Sequence, residues 1–134
     1  MIKKYPCSMK ISHPKYKNIK VFYDNVWFDS ILEVTRYKKL SFLKYCEKIK
    51  DLRLQPKFLL QEKYVDSMGN KHSAIYYIAD FIYYDHDINK WVIEDVKGMR
   101  TAVYLIKKKL FLKILPDNTV FREIYFNHRS KKTK

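Results

Sequence analysis

Glycine is nearly absent from this chain: two occur in 134 residues, and proline occurs four times. So few permissive positions leave no glycine-rich loop to cradle a phosphate. They argue instead for regular elements joined by short turns. Cysteine is equally scarce. Cys7 and Cys46 have no metal-ligand spacing between them, so two reduced structural thiols are expected. The four histidines, His13, His72, His86 and His128, are scattered and form no ligand cluster. No apolar run approaches the roughly 18 residues of a membrane span. The opening Met1-Ile2-Lys3-Lys4-Tyr5-Pro6 lacks the apolar core of a signal peptide. A cytoplasmic protein with no membrane partner is the expectation.

Acidic residues are outnumbered two to one, 14 against 28 basic, giving a net charge of +14. That excess implies a polyanionic partner. Nucleic acid comes first, because phosphate contacts supply most nonspecific affinity. An anionic membrane surface would need a basic amphipathic helix with a free apolar face. The candidate helices here need those faces for a core. Twelve tyrosines are available to stack on bases, although packing is the ordinary role of any one of them.

Hydrophobic residues make up 47% of the chain, enough to fold as one domain over residues 1–134 without a linker or repeat. Residues 1–20 read as a basic arm, and 127–134 as a basic tail. Residues 20–28 read as a short hairpin about Asp24-Asn25. A helix is predicted over 31–48, capped by Ser30, with Ile31, Val34, Leu40, Phe42, Leu43 and Cys46 as its apolar side. Residues 51–61 are extended, with Pro56 marking an edge or strand entry. Strands follow over 71–84 and 91–97, a helix over 102–114 ending near Pro116, and a last strand over 119–126. The fold class is α/β, a mixed central sheet flanked by helices.

Three residues stand out against this background. Asp80 interrupts the apolar run Tyr77-Ile78-Ala79-Asp80-Phe81-Ile82. Asp95 and Lys97 sit in Trp91-Val92-Ile93-Glu94-Asp95-Val96-Lys97. A carboxylate inside an apolar strand is costly unless something compensates it, and two of them on adjacent strands suggest a divalent cation. Side chains alternate faces along a strand, so Asp95 and Lys97 share one side and Glu94 points to the other. Asp95 is then the ligand and Glu94 is not.

An Asp in one strand followed by Asp-Val-Lys in the next resembles the core of the PD-(D/E)XK nuclease superfamily, and the element order resembles its small phage and prophage members. Asp stands at the second motif position where Glu is commoner, and Ala79 stands where a Pro often precedes the first Asp. The resemblance implies a restriction-endonuclease-like fold and a Mg²⁺-dependent DNA endonuclease, with Mn²⁺ able to substitute. Phage recombination or replication is the implied setting, in a bacterial host cytoplasm, with a Holliday junction among the candidate substrates and a homodimer for paired cuts. Asp80, Asp95 and the Val96 carbonyl would bind the metal, and Lys97 would complete the catalytic set. Glu33 would join them directly or through water. Ser30-x-x-Glu33 is also a capping box, which explains Glu33 without catalysis. Gln55 would lie beside the site. Arg100, Lys107 and Lys108 would contact DNA, against the plainer reading of a solvated helix face. Two other functions remain open from sequence: a noncatalytic nucleic-acid-binding module, and an interaction protein or inhibitor on a nuclease-like scaffold.

Overall fold

The computed structural model describes residues 19–97 and 100–125. Nearly all of the expected N-terminal arm, the C-terminal tail, Cys7, His13 and His128 lie outside the described residues. The first element is a hairpin of β1 (Val21–Tyr23) and β2 (Val26–Phe28). Asp24 and Asn25 both take left-handed backbone, φ 51° and 59°, as a two-residue hairpin turn requires. Ser30 then caps α1 (Ile31–Tyr45), its Oγ accepting the Glu33 N–H at 3.2 Å.

The helix stops at Tyr45, short of the predicted 48. Glu47 turns left-handed at φ 58°, and the Lys48 N–H folds back onto the Leu43 carbonyl. The predicted apolar side also needs correction. Val34 and Leu40 are buried and Leu43 packs against them, but Ile31 and Phe42 are 59% and 65% exposed and Cys46 is exposed. At 100° per residue the buried stripe runs through Glu33, Val34, Tyr37 and Leu40, and the other three fall off it.

The chain continues through β3 (Ile49–Leu54), β4 (Lys57–Gln61), β5 (Tyr64–Val65), β6 (Lys71–His72), β7 (Ile75–Ile78), β8 (Phe81–Asp85) and β9 (Lys90–Val96). It ends in α2 (Ala102–Ile114), as its spacing predicts, and β10 (Thr119–Ile124). The central sheet has the order β10-β9-β8-β3. The β9–β10 pair is parallel, with α2 as the crossover, and the other pairs are antiparallel. This is the mixed sheet expected from sequence, with α1 and α2 packed on its two sides.

The predicted strand over 71–84 and the extended stretch over 51–61 are both broken, at the same level. Residues 71–84 form β6, β7 and β8, and residues 51–61 form β3 and β4. Gln55 sits at φ 50°, and Pro56 has no N–H to give a ladder. The two chains stay linked across the break: the Gln55 N–H donates to the Asp80 carbonyl, and the Ala79 N–H to the Pro56 carbonyl. One long hairpin is thus bent, with β3 and β8 in the central sheet and β4 and β7 forming a separate ribbon. Asp80 lies at the bend rather than inside a strand.

The core divides along the alternation of β9. Val92 and Val96 join Phe28, Val34, Leu40, Ile49, Phe81 and Tyr83 under α1. Ile93 joins Tyr77, Ala79, Tyr104 and Phe111 beside α2. Every residue from Val92 to Val96 is buried. Among the described residues no helix is long and apolar enough to cross a membrane.

Candidate functional site

Adjacent residues of β9 carry two acids that are fully buried on opposite sides of the sheet. Glu94 faces α1. It accepts two hydrogen bonds from Arg36, from Nε at 2.7 Å and Nη2 at 2.5 Å, and one from the Tyr83 hydroxyl at 2.5 Å. This planar two-point clamp satisfies the carboxylate and fixes α1 to the sheet one helical turn after Glu33. Sequence parity turned Glu94 away from Asp95 but gave no sign of Arg36, which lies 58 residues away in the chain.

Asp95 faces the other way. Its Oδ2 accepts the Tyr77 hydroxyl. Its Oδ1 lies 2.6 Å from Lys97 Nζ, close enough for an ion pair. That oxygen is nevertheless buried without a partner in hydrogen-bond geometry. Burial, and then the bond to Asp95, raise the Tyr77 pKa far above the ordinary phenol range, so Tyr77 remains a donor. Lys97 lies just past the end of β9 but keeps the strand's course, its N–H donating to the Ile124 carbonyl at 3.0 Å. Its ammonium rests 4.2 Å from the centre of the Tyr104 ring.

Asp80 reaches the same place from the bend. Its Oδ2 accepts the Val96 N–H at 2.6 Å, and its own N–H donates to the Glu94 carbonyl at 3.0 Å. Burial pushes its pKa up to about 8. The carboxylates of Glu33 and Asp95 push in the same direction, while the Val96 N–H and Lys97 pull against them. Glu33 is also raised, by burial first, and it too feels the Lys97 charge. The four residues selected from sequence, Glu33, Asp80, Asp95 and Lys97, therefore share one electrostatic neighbourhood.

Glu33 keeps its capping role as well. Its Oε2 accepts the Asp29 N–H at 3.2 Å, and its Oε1 accepts the Ser30 hydroxyl at 3.3 Å. A capping box has its glutamate accept from the N-cap backbone, here the Ser30 N–H; the N–H it accepts from is one residue earlier, at Asp29.

A cleft of about 250 Å³ opens beside Asp95 and Lys97, walled by Tyr76, Tyr77 and Tyr104, with Lys107 at its lining. Lys108 and Arg100 are placed differently. Both pair with Glu123, which also accepts the Tyr104 hydroxyl at 2.8 Å and the Tyr125 hydroxyl. Burial alone would raise Glu123, but these donors hold it down at about 2. Of the three cations expected to hold DNA, Lys107 alone lines the cleft, and the other two are tied to a carboxylate. Gln55 is exposed and meets Asp80 through its backbone.

Asp80 and Asp95 are hard oxygen donors of the kind a small hard cation takes. Mg²⁺ takes one or two protein carboxylates and keeps several waters, and the Asp95 Oδ1, ion-paired with Lys97 but in no hydrogen bond, is the oxygen available to one. Among the described residues, no group of three or more His, Cys, Asp or Glu is placed to hold a metal ion. Two carboxylates with water are enough for Mg²⁺.

Residues 13–133 match the family model described as "Protein of unknown function (DUF1064)". The chain belongs to this family. No curated protein matches it. The DUF1064 match takes in every element of the fold and all four acidic-site residues, so bend, clamp and cleft all lie within the family's extent.

Proposed function

We propose that this DUF1064 chain is a Mg²⁺-dependent DNA endonuclease of the PD-(D/E)XK type, on a restriction-endonuclease-like fold. The observation that carries this reading is the meeting of Asp80, from the bend before β8, and Asp95, from β9, with Lys97 and Glu33. The pKa of Asp80 is raised toward 8 by burial and by the acids around it. Such a cluster is costly without a cation. The net charge of +14 supports a polyanionic substrate.

Asp80 and Asp95 would hold the ion, with the Val96 carbonyl beside them and Glu33 through water. When bound, the ion polarises the scissile phosphate and lowers the pKa of a coordinated water. Tyr77 holds the Asp95 carboxylate in one orientation. Lys97, with its ammonium beside Asp95, orients the attacking water and offsets charge developing on the phosphate. DNA shape, rather than base sequence, is the candidate for recognition. Branched DNA such as a four-way junction is one substrate, and paired cuts there require a dimer.

The test is cleavage of duplex, single-stranded, flap and four-way junction DNA in Mg²⁺, in Mn²⁺ and in chelator. Metal-dependent product on any of them supports the reading, and none on all of them overturns it. One observation favours a noncatalytic nucleic-acid-binding module instead: Lys97 already neutralises Asp95 at 2.6 Å. DNA binding without cleavage in that assay would select it.

The cations make a separate prediction. Lys107→Gln should flatten the dependence of DNA affinity on salt by about 0.7–0.9 log units per log unit, the loss of one phosphate contact. Lys108→Gln should leave that slope unchanged, because Lys108 is spent on Glu123. Titrations at several salt concentrations read both slopes.

A further inference from the structure

Among the described residues, the side of the sheet that carries Asp95 is only half covered. Alternation places Trp91 with Ile93 and Asp95 on β9, and Tyr84 with Ile82 on β8. Trp91 and Tyr84 are directly paired across the two strands, with ring centres 5.6 Å apart and edge to face. α2 packs over the ribbon of β4 and β7 and over Ile93, toward the other end of these strands. It does not reach this pair. Both rings are half-buried, and the cations over them are exposed.

Those cations are delivered by an irregularity in β3. Lys50 and Arg53 are three residues apart and in a regular strand would face opposite ways. The register of β3 on β8 shifts between them, and Asp51 takes φ 55°. Lys50 then pairs with Tyr84 and Arg53 with Ile82, two positions of like parity. A bulge re-aims a side chain in this way. Lys50 Nζ lies 5.0 Å from the Tyr84 ring centre, and the Arg53 guanidinium carbon 5.6 Å from that of Trp91. His86 stands edge-on to Tyr84.

We propose that Tyr84, Trp91, Lys50 and Arg53 form a platform on which the bases of a single-stranded nucleic acid stack. Two neighbouring aromatic rings, each with a cation over its face that can swing off to a phosphate as a base takes its place, have the elements that bind unpaired bases without reading sequence. Paired bases keep their faces inside the helix and cannot use it. Trp91 and Asp95 are four residues apart on one strand, about 13 Å, or about four stacked nucleotides at 3.4 Å each. Resting on the nuclease reading above, the platform defines the substrate class: DNA with an unpaired stretch a few nucleotides from the cut.

The experiment uses the full chain in chelator, so that it reads binding alone. Trp27→Phe leaves Trp91 as the single tryptophan. Oligo-dT should quench its fluorescence saturably and bind more tightly than a duplex of equal length. Tyr84→Ala in that background should weaken oligo-dT on the order of tenfold and leave the duplex unchanged. Lys50→Gln with Arg53→Gln changes only exposed side chains, so it folds, and it should also weaken oligo-dT more than duplex. Absence of quenching, or equal losses for both DNAs, overturns the platform. Quenching by oligo-dT in a protein that cleaves nothing keeps the platform and removes the nuclease. Cleavage without quenching removes the platform alone.

Discussion

Asp80→Asn should lower metal-dependent cleavage on the order of 10³-fold or more while making the metal-free protein more stable. The two effects have one origin. Asp80 is held among Glu33, Asp95 and the sheet, and its pKa rises from 3.8 to about 8. A carboxyl so raised binds its proton more tightly in the folded than in the unfolded chain. Its contribution to stability is therefore complete below pH 3.8 and drains away as pH climbs through about 8. Asn keeps an oxygen for the Val96 N–H and never ionises. In chelator the variant should exceed the wild type by about 1–3 kcal/mol above pH 8 and by little near pH 4. Chemical denaturation at several pH values measures this whether or not the protein cuts DNA. A variant no more stable than wild type at high pH would show that the acids do not strain one another. Asp95→Asn should likewise abolish cleavage, with Lys97 left beside a neutral amide.

Glu94→Gln should behave in the opposite sense. It removes no proposed ligand, yet it leaves the Arg36 guanidinium partly buried without its carboxylate, and Tyr83 with a weaker acceptor. Breaking a buried pair on one side costs about 3–5 kcal/mol. We expect a loss of that size in denaturation midpoint experiments. Below the new midpoint, the folded variant should bind Mg²⁺ as the wild type does. If Glu94→Gln instead abolished cleavage with stability intact, the ligand would be Glu94, and Asp95 the structural acid.

How much could be read from the chain depended on the range of the interaction. α2 and the β1–β2 hairpin were legible because their signals are local: residue spacing over 102–114 and Pro116 mark the helix, and Asp24-Asn25 makes the turn. The separation of Glu94 from Asp95 was legible because alternation within a strand is local too. The bend at Asp80 was not. Residues 74–84 are apolar throughout except for that one acid, and the break is imposed by Gln55-Pro56 on the neighbouring strand. Arg36 escaped notice for the same reason, since a charged helical residue gives no hint of a partner seven elements further along the chain. Lys108 looked like a free cation because Glu123, which claims it, lies on the strand after the helix.

The burial of β9 on both sides has a consequence for how the chain finds its register. Val92, Ile93 and Val96 suit either layer of the core, so a slip of this strand by one residue would cost little in apolar packing. The acids are what make the slip expensive. It would turn Glu94 toward Tyr77 and leave Asp95, one methylene shorter, to meet the fork of Arg36. Hydrophobic contacts draw β9 into the sheet, and the unequal lengths of two neighbouring carboxylates tell it which way up to lie.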